Sequence, residues 1–163
     1  MLRFRAQIPV VLVLAFWLGV GTPAHGGAAR DDRQRSEDAQ SLFPGEQVHY
    51  VGIPPSRSQP SNRGAGQASL LNSQGMRELR ERFQRSRTQT VYVAVGSSDD
   101  TLAADAIYFT LGRNNGQMLP GLHLIHVGGD WRRAEQLRAR IEALGAKYYI
   151  VRRDPSASAG TGD

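Results

Sequence analysis

Two stretches of the chain follow one plan, and that plan restricts the fold more than any other feature. VAVGSSDD…LGRNNG and LIHVGGDW…LGAK each run as an apolar segment, a Val-Gly turn, an aspartate, a helix-forming stretch and Leu-Gly. Gly96 and Gly128 stand 32 residues apart, and Gly112 and Gly145 stand 33 apart. Two units are too few for a solenoid, which needs at least three to bury a continuous core. They suit consecutive βα units of one sheet, because parallel strands need a long crossover and that crossover is almost always right-handed.

The strands of this plan are short, apolar and β-branched: 90–95 (TVYVAV), 122–127 (LHLIHV) and 147–151 (KYYIV). Continuous apolar runs of this length fit strands buried on both faces. Helices are expected over 100–111, apolar around most of its circumference, and over 131–144, with Trp131, Ala134, Leu137, Ile141 and Leu144 on one stripe. Gly112 and Gly145 read as their caps. A further helix over 76–87 places Met76, Leu79 and Phe83 on one face, with Glu78 and Arg82, and Glu81 and Arg85, as acid-before-base pairs. The run QVHYVGI at 47–53 reads as an edge strand or a docking peptide, ended by Pro54 and Pro55. The expected fold is α/β: a small three- to four-stranded parallel sheet, βαβαβ and half-Rossmann-like, preceded by a helix and a disordered N-terminal arm. The α/β domain is expected over 70–153.

The remaining chain does not look like core. Arg3 and Arg5 precede an almost unbroken apolar run at 8–20, and small residues with Pro23 follow. This three-part form reads as a secretory signal peptide over 1–26, and it is short for a membrane span. An uncleaved N-terminal membrane anchor is the alternative, and both place the domain outside the cytoplasm, periplasmic or secreted, as in a bacterial envelope. Residues 27–69 read as a disordered or linker segment. Within it, 27–40 is charged and almost free of large apolar groups, so it has little to bury against its ordering entropy. Residues 56–69 have linker composition, and 154–163 reads as a flexible tail.

Composition narrows the chemistry. The absence of Cys excludes disulfides, thiol catalysis and thiolate metal sites. Removing Arg3 and Arg5 from a net charge of +5 leaves +3 spread along the chain, which is no nucleic-acid footprint. The densest basic group is Arg132, Arg133, Arg138, Arg140, Arg152 and Arg153, read either as a solvated face or as a contact for an acidic polymer or membrane surface.

In open α/β sheets ligands bind above the carboxyl ends of the strands. The candidate residues there are Gly96, Ser97, Ser98, Asp99 and Asp100 in one turn, and His126, Gly128, Gly129 and Asp130 in the other. The aspartates would repel a phosphate, and they are also the residue types that cap helices. Asp99, Asp100 and Asp130 together are a possible divalent-cation trio, and Ser97 or Ser98 with His126 and Asp99 a possible hydrolytic group, although no G-x-S-x-G elbow is present. His123 and His126 are three apart on one strand and face opposite sides, so they cannot share a metal. Asp105, with Tyr108 three residues on, reads as the solvent side of its helix or as a buried functional carboxylate. No cofactor or metal is expected. The leading expectation is a non-enzymatic envelope binding or assembly module with an envelope protein partner. A small exported hydrolase or metal-assisted enzyme, and a small-ligand or anion-binding domain, are the alternatives.

Overall fold

The computed structural model of the chain describes residues 26–55, 70–128 and 130–153. The expected targeting segment, apart from Gly26, lies outside the described residues, as do 56–69 and 154–163. Elements follow the order α1 (Gly26–Ser41), β1 (Val48–Ile53), α2 (Gln74–Arg85), β2 (Val91–Ser97), α3 (Asp100–Arg113), β3 (Leu122–Gly128), α4 (Trp131–Glu142) and β4 (Lys147–Arg152).

The four strands form one sheet in the order β1-β2-β3-β4, and every neighbouring pair is parallel. The fold is therefore α/β with an all-parallel sheet. The run at 47–53 supplies an edge strand, with Val48 paired to Tyr92 and Ile53 to Ser97. Each crossover steps one strand in the same direction, so a constant hand places all three connecting helices on one face. Val51, Val93, Val95, Leu122, Leu124 and Tyr148 point into that layer and meet Met76, Leu79, Phe83, Ile107, Leu137 and Ile141. The middle helix, α3, touches the sheet and is flanked by α2 and α4. Its apolar circumference follows from those three contacts.

The helix ends differ in detail from the sequence expectation. Gly112 lies inside α3, and the chain turns after it through Asn115 and Gly116, with φ of 52° and 70°. Gly145, with φ 79°, does follow α4 as the left-handed residue. The pairs Glu78 with Arg82 and Glu81 with Arg85 do not form among the described residues; Glu78 instead accepts from Gln74 Nε2 at 2.7 Å.

The largest difference is α1. Composition argues for disorder over 27–40, whereas the structure has a helix there, lying across the second face of the sheet. Intrahelical pairs support it: Arg33 with Glu37 at 3.0 Å and Gln34 with Asp38 at 3.1 Å. Its seat on the sheet is mostly polar. Ala39 is fully buried beside Ala94, Ile125 and Val127. Arg35 is 7% exposed and bonds Asp32 at 3.0 Å, while Tyr50 of β1 donates to the same Asp32 oxygen at 2.9 Å. Asp38 pairs with Arg153, beyond β4, at 3.3 Å. A helix seated through an arginine and a tyrosine hydroxyl shows no apolar stripe for sequence reading to find. Phe43, Tyr92, His123 and Tyr149 cover the rest of that face, with ring centroids 4.3–6.1 Å apart.

Candidate functional site

Because the strands are parallel, all four carboxyl ends share one rim. Gly96 aligns with Gly52 on one side and Val127 on the other, and Gly128 aligns with Arg152. The two aspartate-bearing turns therefore emerge together, as the strand plan implies. A single sequentially wound half, however, has no reversal of strand order, the feature that opens a crevice in doubly wound sheets.

The side chains on this rim are engaged in holding the fold. Ser97 is 2% exposed; its hydroxyl donates to the Ile53 carbonyl at 2.8 Å and accepts from Asp99 N–H at 3.1 Å. It ties the end of β2 to the end of β1. Asp99 caps α3, accepting from the Thr101 backbone at 3.0 Å and from its hydroxyl at 2.9 Å. Asp130 caps α4, accepting from Arg133 N–H at 3.2 Å. Ser98 is exposed, Asp100 opens α3, and Gly129 lies outside the described residues. His126 shares the helix-covered face of β3 with Leu122 and Leu124 and is fully buried. His123 faces the other way, among the aromatic rings, where burial and then Lys147 lower its pKa. The strand therefore separates the two histidines as its period requires. Among the described residues, no three His, Asp or Glu side chains are spaced to hold a metal ion.

Gly96 leaves room for close approach, as the sequence suggests, but the chain itself fills that room. A Cβ on Gly96 would lie 2.7 Å from Tyr50 Oη and 3.0 Å from Arg35 Cδ. The glycine accommodates the α1 seat.

The six arginines of the expected basic face are held by different partners. Arg138 bonds Glu135 at 2.7 Å, Glu142 at 3.2 Å and the Tyr148 carbonyl at 3.1 Å. Its hydrogen bond is the main cause of the lowered Glu135 pKa. Arg133 pairs with Asp105, and Arg153 with Asp38. Arg152 and Arg132 lie over the exposed Trp131 ring, at 4.5 and 5.6 Å from its centroid, and Arg140 over Tyr108 at 4.9 Å. Adjacency in sequence does not show these partners.

A groove runs between α3 and α4. It has a volume of about 310 Å³. Ala104, Phe109 and Leu137 supply its apolar part, and Arg133 and Arg140 bring guanidinium groups. Asp105 and Tyr108 stand on the α3 side. Burial raises the Asp105 pKa, and the Arg133 charge opposes that shift. The sequence signal for this groove is the pair Asp105 and Tyr108 in an otherwise apolar helix; their α4 partners had no local spacing to reveal them. Comparison of the chain with family models, with curated proteins and with solved structures finds no match in any of the three.

Proposed function

We propose that the chain is an exported binding module of the cell envelope whose contact surface is the α3–α4 groove. One observation carries the reading: the groove combines an apolar floor with Arg140, which has no carboxylate within ion-pair distance among the described residues. Its volume is at the lower end of small-ligand sites, about 300–1,000 Å³. The chemistry suits an amphipathic group with an acidic end, its apolar body on Phe109 and Leu137 and its anion on Arg140, since Arg133 is already paired with Asp105. Export is supported by the signal-like composition of 1–26. The hydrolase reading draws no support from Ser97, whose proton is directed to the Ile53 carbonyl, or from the enclosed imidazole of His126.

The test is a photo-crosslinking side chain placed at Tyr108 and expressed in the host. A discrete adduct in the envelope fraction, lost when Arg140→Glu reverses the charge, is the expected result. No adduct, or one indifferent to Arg140→Glu, refutes the reading.

A further inference from the structure

A second, smaller concavity lies on the other side of α3, against α2, and its chemistry is distinct. It holds about 60 Å³ and is lined by Arg80, Phe83, Gln84, Arg87, Thr110, Arg113 and Asn114. Three guanidinium-bearing residues meet there, and no acidic residue is among the lining. None of the three has a carboxylate within ion-pair distance among the described residues. Like charges brought to one hollow repel one another, and an anion between them converts that repulsion into attraction.

Two of the arginines are held in place. Arg87 Nη2 donates to Asn114 Oδ1 at 3.1 Å, and Asn114, 5% exposed, donates in turn to the Gln117 carbonyl. Arg80 Nε donates to the Met76 carbonyl at 3.1 Å. Each uses one N–H of a five-donor fork. These arginines are also not needed to satisfy the carbonyls at the end of α2. Ser86 N–H serves Arg82, Ser86 Oγ serves Phe83, Arg87 N–H serves Gln84, and Thr88 and Gln89 N–H serve Arg85.

We infer that the α2–α3 concavity is a binding site for a tetrahedral oxyanion, a phosphate or sulfate group, gripped by Arg80, Arg87 and Arg113. The hollow has room for ordered water, or for one such anion in its place. Planar forks match these oxygens in pairs, which a point charge does not. The site is independent of the α3–α4 groove, so either can fail alone.

The experiment titrates the full chain at low ionic strength with inorganic phosphate, sulfate and chloride, read by calorimetry and thermal shift. Saturable one-site binding of phosphate and sulfate, with no saturation by chloride, is expected. Arg87→Gln and Arg113→Gln should each weaken phosphate about tenfold or more, the effect of removing a charge-assisted hydrogen bond. Arg132→Gln, outside the hollow, should leave it unchanged. Phosphoserine is the second arm: tighter binding than inorganic phosphate assigns the site to an esterified group, and equal binding to the free ion. The inference is overturned by non-saturable binding, by a chloride response of equal size, or by equal losses in Arg132→Gln and Arg87→Gln while circular dichroism shows each variant folded.

Discussion

Replacing Gly96 by alanine separates the two meanings this residue can carry. A glycine reserved for a ligand leaves empty space in the free protein, and a methyl group there should stabilise the chain by restricting its unfolded state. The structure gives the opposite sign. The new Cβ would sit 2.7 Å from Tyr50 Oη, 3.0 Å from Arg35 Cδ and 3.1 Å from Tyr50 Cε2. These are side-chain atoms and can retreat, but retreat pulls Tyr50 and Arg35 away from Asp32, which they hold at 2.9 and 3.0 Å. Overpacking costs about 1–3 kcal/mol, and the entropic gain from removing a glycine offsets roughly 0.4–1 kcal/mol of it. The net expectation is a loss of about 1–2 kcal/mol, or roughly 5–10 °C in Tm for a domain of this size. Gly112→Ala is the matched control, because that glycine is helical and its Cβ would meet nothing within 4 Å. It should stabilise by about 0.5–1 kcal/mol. Urea unfolding followed by circular dichroism measures both. Amide exchange should show the Gly96→Ala loss concentrated in α1. If Gly96→Ala unfolds no earlier than the parent chain, and α1 protection is unchanged, the seat described here is wrong.

Gly121→Ala should be far worse, since its Cβ would lie 2.2 Å from the Gln89 carbonyl oxygen and 2.7 Å from that of Ser86, both backbone atoms. A loss of about 3 kcal/mol or more is expected, seen as failure to accumulate folded protein. Asp99→Ala and Asp130→Ala should each cost about 1 kcal/mol by urea unfolding, while Asp→Asn at either position should recover most of it. Stability should fall as the pH rises above about 10, the ordinary tyrosine value. Burial, aided at Tyr50 by its bond to Asp32, raises the Tyr50 and Tyr148 pKa values in the folded chain. The unfolded chain then loses these protons first, so alkali favours unfolding. Urea midpoints between pH 8 and roughly 11.5 should show the decline, and Tyr50→Phe with Tyr148→Phe should flatten it.

The parts of the fold legible in the sequence are those with local causes. Val91, Val93, Val95, Leu122 and Leu124 mark strands by composition, and the capping roles of Asp99 and Asp130 follow from their places before helices. The α1 helix was not legible, because Arg35 and Ala39 hold it where an apolar stripe would normally be read. Gly112 misled because the chain has a second left-handed option three and four residues later, at Asn115 and Gly116. The site residues divide the same way. The rim turns were located by spacing alone, but their hydrogen bonds to Ile53, Thr101 and Arg133 could not be read from it. The hollow of Arg80, Arg87 and Arg113 draws on two helices and the loop after one of them, so no linear motif announces it.

The contact between Asp38 and Arg153 has a consequence for how the domain comes together. It joins the earliest described helix to the last described residue, so it ties the two ends of the described chain together. Synthesis proceeds from the amino end, and α1 cannot be fastened on this side until Arg153 has been made. The seat of Arg35 and Ala39 on the sheet can form before that, and this ion pair is added to it afterwards.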